Sequence, residues 1–154
     1  MAEWVSAASY GTVLIIAALL LVEAEDVASG FGWELIVGVG VATWLAHLYA
    51  EVLGNHVRST DALQPHRLRR AMVDGLPILL ASILPAVALL LGRLKVVAPR
   101  QALWIAVILA LLQLVTVGAL VGVVSEQPTN NWRYAVVASV FGVTVVLALV
   151  ALGH

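Results

Sequence analysis

The segment QALWIAVILALLQLVTVGALVGVVS, residues 101–125, decides the class of fold to which this chain belongs. It carries no Asp, Glu, Lys or Arg. A helix needs about 20 mainly apolar residues to cross the hydrocarbon core of a bilayer. The strands of a membrane barrel would alternate apolar and polar residues, whereas this run is continuous. We therefore predict a transmembrane helix over residues 101–124.

Four other windows of the sequence also lack these charged residues: 4–22, 35–50, 75–92 and 134–154. The second window is short, but it reaches the length of a span if it runs from Trp33 to about Leu53 and includes Glu51. The sequence thus predicts an all-α, polytopic transmembrane helix bundle of five spans within one domain, residues 1–154. The predicted spans are about 4–23, 33–54, 73–92, 101–124 and 132–153.

The composition supports a chain whose main solvent is lipid. Of its 154 residues, 62% are apolar and 11% are charged, against about 25% charged residues in a typical soluble domain. A net charge of −1 argues against a nucleic-acid partner, which requires a basic face. The absence of cysteine excludes disulfides, thiolate metal sites and cysteine nucleophiles. We expect the lipid bilayer itself to be the principal partner.

Lys and Arg in short loops predict how such a chain is oriented. The loop after span two is basic through Arg58, Arg67, Arg69 and Arg70. This loop should be cytoplasmic, which places the N-terminus on the cytoplasmic side as well. We expect the membrane to be the bacterial cytoplasmic membrane. The start of the chain lacks the positive region of a signal peptide, so the first span is expected to be retained.

The third loop conflicts with this orientation. It is also basic, through Arg93, Lys95 and Arg100, and it would lie outside if span three crosses. Span three contains Pro77 and Pro85. Two alternatives remain open: a re-entrant hairpin that returns both basic loops to the cytoplasm, and a proline-kinked helix that crosses against the charge rule.

Span two carries small residues at every fourth position: Gly38, Ala42, Ala46, Ala50 and Gly54. Small side chains at this spacing let the backbone of another helix come close, and close packing drives helix association in lipid. We predict that span two packs tightly on a neighbour, either in the same chain or in a symmetry-related copy. Because five short helices bury only modest surface among themselves, a homo-oligomer is expected.

The segment WLAHLYAEVLG, residues 44–54, places two ionisable residues inside the same span. His47 and Glu51 are one helical turn apart and share a face. Ionisable groups within a membrane are costly and are candidates for function, and histidine titrates near neutral pH. One interpretation is a relay or gate for protons or small cations. The alternative is that the pair forms hydrogen bonds that fix the helix packing.

Further polar residues are candidates to line the same path. Asp74 is expected at the level of Glu51, Ser82 lies between the two prolines of span three, and Gln113 lies within span four. Prolines free backbone carbonyls at the preceding turn, which would suit a water-filled path beside His47. The alternative for Ser82 and Gln113 is hydrogen bonding between helices, as is common for such residues in membranes.

The motif W-L-A-H-x-Y-A-E, residues 44–51, occurs here together with a proline-containing middle span and a terminal histidine, His154. In these features the chain resembles a group of small integral membrane proteins of high-GC Gram-positive bacteria. The resemblance implies a multi-pass membrane protein and no known activity.

Three functions follow as expectations. The first is a small channel or transporter for protons or small cations, and the second is a non-catalytic membrane subunit that assembles through small-residue helix faces. The third is a membrane-embedded metal-dependent enzyme, for which three or four ligands are needed. The sequence shows neither paired Glu-x-x-His motifs nor H-E-x-x-H. It therefore favours a non-enzymatic function, indicates no cofactor, and leaves any metal undefined.

Overall fold

The computed structural model describes residues 2–58 and 65–124, together with residues 140, 144 and 151. All regular secondary structure in this part of the chain is helical, which confirms the predicted all-α class there. The helices are α1 (Ala2–Leu19), α2 (Ala24–Ser29), α3 (Phe31–Arg58), α4 (Pro65–Asp74), α5 (Leu76–Arg93) and α6 (Pro99–Val124). The predicted fifth span, 132–153, lies outside the described residues except for the three isolated positions.

Three helical segments are long and apolar enough to cross a membrane: Phe31–Gly54, Leu68–Arg93 and Pro99–Ala119. α1 contributes a shorter apolar segment, Trp4–Leu19. A helix satisfies its own backbone hydrogen bonds, which is why continuous apolar runs of this length take this form in lipid.

α5 is the central helix of the bundle. It packs against α1, α3 and α6, and α1 also contacts both α3 and α6. α3 and α6 thus flank the pair formed by α1 and α5. The core between them is apolar and includes Ile15, Ile16 and Leu19 of α1, Leu89 of α5 and Ala106 of α6.

α5 runs from one end of the bundle to the other. Its N-terminal end meets the second half of α3: a Cβ on Gly75, the residue before α5, would lie 2.9 Å from Cδ1 of Trp44. Its far end meets α2, where a Cβ on Gly92 would lie 2.6 Å from Cγ1 of Val27. α3 begins beside α2, so α3 and α5 are antiparallel.

α5 is one continuous helix and lacks the turn that the re-entrant alternative for span three requires. Pro77 stands in its first turn, where the missing N–H has no helical partner to lose. Pro85 is accommodated inside the helix and is buried among neighbouring helices. As a result, the described basic residues near α4 (Arg58, Arg67, Arg69 and Arg70) and those of 93–100 lie at opposite ends of the bundle.

Two segments predicted as loops contain helices. α2 begins with a capping box, in which the backbone N–H of Glu23 donates to Oδ2 of Asp26 over 2.9 Å. It ends at Gly30, whose φ of 96° is in the left-handed region that favours glycine. α4 is a charged, amphipathic helix separated from α5 by Gly75 alone.

Gly11 of α1 lies against the backbone of α5, where an added Cβ would lie 2.9 Å from Cα of Ile78. Gly11→Ala should therefore lower the free energy of unfolding by about 1–3 kcal/mol through overpacking. Gly38→Ala is the matched control, because nothing lies within 4 Å of its added Cβ. The Gly38→Ala substitution should leave the free energy of unfolding unchanged or raise it by up to about 1 kcal/mol. Thermal unfolding of both variants in detergent, followed by circular dichroism, measures the difference; equal midpoints would contradict this packing.

Candidate functional site

His47 and Glu51 lie side by side on α3. Nε2 of His47 is 3.9 Å from Oε2 of Glu51, and each side chain is 34% exposed. This separation suits an ion pair when the imidazole is protonated, but it is too long for a direct hydrogen bond. The pair is thus within reach of a third group or a water molecule.

The imidazole of His47 packs on the junction between α4 and α5. A Cβ on Gly75 would lie 3.2 Å from Cδ2 of His47 and 2.9 Å from Cδ1 of Trp44. Nε1 of Trp44 donates a hydrogen bond to the backbone oxygen of Met72 over 3.3 Å. This contact explains why a tryptophan stands in mid-helix rather than at a membrane interface, since it holds α3 to the end of α4.

Asp74 lies beside this junction, directly before Gly75. Its Oδ2 is 3.6 Å from Nε of Arg70, and its side chain is 17% exposed while that of Arg70 is 79% exposed. No hydrogen-bond partner for this oxygen is found among the described residues. The same end of the α3–α5 contact therefore holds two loosely paired acid–base couples. One is His47 with Glu51, and the other is Arg70 with Asp74.

Ser82 lies farther along the same contact. It is buried, its Oγ donates to the backbone oxygen of Leu79 over 2.7 Å, and a Cβ on Gly40 would lie 2.5 Å from that Oγ. Thr43, also buried, stands between Gly40 and His47 on α3. Polar side chains thus follow the α3–α5 contact from Ser82 to Glu51.

Gln113 is placed elsewhere. It lies on α6, which packs against α1, α2 and α5. Its Oε1 is buried, with no hydrogen-bond partner in the described part of the chain. The structure therefore gathers four of the five predicted path residues along the contact of α3 with α5 and leaves Gln113 on a different helix.

The small-residue stripe of α3 faces outward. Its members Gly38, Ala42, Ala46 and Ala50 are exposed, and nothing lies within 4 Å of a Cβ added to Gly38 or Gly54. No helix in the described ranges covers it, so the expected neighbour from the same chain is not found there. α3 meets α5 through another face, at Gly40 and Trp44. A parallel ridge of exposed larger side chains borders the stripe: Val41, Leu45, Tyr49 and Leu53.

A metal centre gains no support from the geometry. Within residues 2–58 and 65–124, no three His, Asp or Glu side chains are grouped so that they could hold a metal ion.

Sequence reasoning missed Gly75 and assigned no role to Gly40 or Trp44, although the helical period places these two near the same stripe as His47 and Glu51. Trp44 did give a signal, because Trp4, Trp33, Trp104 and Trp132 each stand at or near the start of a predicted span and Trp44 does not. Gly40 and Gly75 belong to no repeat, so their role depends on which helix lies opposite.

Comparison of the chain with protein-family models finds no match, and neither the curated proteins nor the solved structures contain a matching chain. The resemblance carried by residues 44–51 stays a prediction. The chemistry of the site is therefore argued from the geometry of this chain.

Trp44→Phe removes the hydrogen bond to Met72 while keeping most of the ring. The docking of α4 should weaken by about 0.5–1.5 kcal/mol, which would raise amide hydrogen exchange across residues 65–74. Trp33→Phe is the matched control, because the buried Nε1 of Trp33 has no hydrogen-bond partner among the described residues. An anchoring role for Trp44 would be contradicted if exchange of α4 rose equally in both variants. It would also be contradicted if exchange of α4 rose in neither variant.

Proposed function

We propose that the protein is a small membrane channel or transporter for protons or small cations, in which His47 and Glu51 line or gate the path. One observation carries the proposal: an imidazole and a carboxylate stand 3.9 Å apart, partly exposed, on a helix long enough to cross a membrane. Such groups are costly in a bilayer unless they serve a pathway or find partners.

The surroundings of the pair suit proton exchange. Histidine changes its charge near neutral pH, and neither member is held in a direct hydrogen bond to the other. Asp74 supplies a second, poorly exposed carboxylate at the same end. Thr43 and Ser82 continue the polar line into the bundle with side chains that both donate and accept hydrogen bonds.

The opposite end of α3 carries acidic side chains beside the basic residues Arg93, Lys95 and Arg100. Glu34 is 57% exposed and lies 3.6 Å from Nη1 of Arg93. α2 adds Glu25 and Asp26 in its first turn, next to Glu23. Acidic groups at the mouth of a path raise the local concentration of cations. From Glu34 to Glu51 the helix rises about 25 Å, which is close to the thickness of a hydrocarbon core, about 30 Å.

A homo-oligomer would enclose this path. His47 and Glu51 are open on one side, and the last members of the small-residue stripe, Ala50 and Gly54, stand next to them on α3. A helix of a second copy seated on the stripe would cover that open side. We place this assembly in the bacterial cytoplasmic membrane with the N-terminus in the cytoplasm, as the charge of residues 58–70 favours.

The second candidate function is a non-catalytic subunit of a larger membrane assembly. The observation that favours it is the same stripe, which is exposed in this chain and bordered by a ridge of larger side chains. Alternating ridges and grooves at four-residue spacing are how helices interlock. In that case the stripe receives a helix of another protein, and the pure protein carries no flux.

Flux of protons and cations into liposomes tests the leading proposal. The wild type should conduct, and His47→Ala and Glu51→Ala should each lower the flux at least about tenfold, a barrier increase of roughly 1.4 kcal/mol. The assay should cover about pH 5 to 8, where histidine changes charge. Tyr49→Phe, on the exposed ridge of the same helix, is the control and should conduct normally. Silent wild-type liposomes containing folded protein would favour the subunit instead.

Assembly can be tested through the stripe itself. Ala46→Leu combined with Ala50→Leu should convert a homo-oligomer into monomers, since larger side chains prevent close backbone approach. Val87→Leu, at an exposed position of α5, is the control and should keep the wild-type mass. Light scattering after size exclusion in mild detergent gives the mass. A monomeric wild type would exclude the homo-oligomer, and co-purification with another membrane protein would then be sought.

A further inference from the structure

α4 presents a basic face away from the bundle. His66, Arg69, Arg70 and Val73 fall at the spacing i, i+3, i+4 and i+7, which places them on one side of a helix. They line an open groove of about 470 Å³. The side chain of Arg70 is 79% exposed, and His66 and Arg69 are also exposed.

The opposite side of α4 holds the helix in place. Ala71 is 1% exposed, and Leu68 is partly buried. The hydrogen bond from Trp44 to the backbone oxygen of Met72 fixes the last turn to α3. The basic side chains are thus carried on a docked helix rather than on a free loop.

The groove lies where an apolar span begins. Gly75 alone separates α4 from α5, and residues 68–93 include a stretch apolar enough to cross a membrane. Val73 lies in the groove, and Met72 and Leu76 beside it are also exposed. A charged face next to exposed apolar side chains is the pattern of a helix at a membrane surface.

We infer that this groove binds the phosphate of an anionic phospholipid headgroup. Arginine guanidinium groups match phosphate with two parallel hydrogen bonds, and His66 adds a third donor. The apolar floor formed by Val73, with Met72 and Leu76 nearby, suits the glycerol and first methylenes of a lipid. A free phosphate ion would use the cations and gain nothing from that floor.

The other basic end of the bundle differs in its charge surroundings. Arg93 is paired with Glu34, and its guanidinium lies over Gly30. Acidic side chains of α2 stand at the same end. The groove on α4 contains two arginines and a histidine, and among the described residues Asp74 is the carboxylate paired with Arg70. Selective binding of an anionic lipid is therefore expected at α4.

Native mass spectrometry of the full chain in detergent, with added phosphatidylglycerol or phosphatidylcholine, tests the inference. The wild type should retain phosphatidylglycerol in preference to phosphatidylcholine. His66→Gln combined with Arg69→Gln leaves the Arg70–Asp74 pair intact and should weaken retention at least about tenfold, as expected when a charge-assisted hydrogen bond is lost. Arg69→Lys, which keeps the charge but loses the two parallel hydrogen bonds, should weaken retention by less than the double variant does. Arg100→Gln, at the opposite end of the bundle, should match the wild type.

Three results would overturn the inference. The first is equal retention of both lipids by the wild type, and the second is an unchanged preference in the double variant whose thermal unfolding is normal. The third is complete displacement of phosphatidylglycerol by millimolar inorganic phosphate, which would assign the groove to a free anion. These outcomes are independent of the flux assay, because no residue altered here belongs to the proposed path.

Discussion

The fold depends on how closely its helices approach α5, and glycine permits each approach. A Cβ added to Gly11 would lie 2.9 Å from Cα of Ile78, and one added to Gly40 would lie 2.5 Å from Oγ of Ser82. A Cβ added to Gly92 would lie 2.6 Å from Cβ of Ala102. In lipid, apolar side chains gain little by leaving their solvent, so the fit between helices decides which faces associate. These glycines select the face that each neighbour turns toward α5.

The same close packing positions the polar groups. Because Gly75 has no side chain, the rings of Trp44 and His47 lie directly on the junction of α4 and α5. This brings the His47–Glu51 pair to the end of the bundle that also holds Arg70 and Asp74. Neither pair is tight, and each remains partly open to its surroundings. The proposed path and the proposed lipid groove thus meet at one end of α3 while using different side chains.

Much of the helical architecture could be predicted, because uninterrupted apolar runs of membrane length have few alternatives to a helix. The His47–Glu51 and Arg70–Asp74 neighbours also follow from spacing within one helix. The stripe from Gly38 to Gly54 shows the limit of such reasoning. A four-residue period identifies residues that share one face of a helix, but it does not identify the helix that packs against that face. Contacts between distant segments, such as Trp44 with Met72, require the tertiary structure. α4 was accessible in principle, since His66, Arg69 and Arg70 share a helical face.

The end-to-end course of α5 has a consequence for biogenesis. Among the described residues, Arg58, Arg67, Arg69 and Arg70 lie toward one end of the bundle, and Arg93, Lys95 and Arg100 lie toward the other. The insertion machinery compares such charges in short loops as successive helices emerge. In the proposed membrane orientation, the described residues carry four of these basic side chains on one side and three on the other, so the charge difference that favours this orientation is small. Within the described residues, loss of one arginine from the α4 end would make the two counts equal, so it would alter the orientation that the charge rule favours for the whole chain.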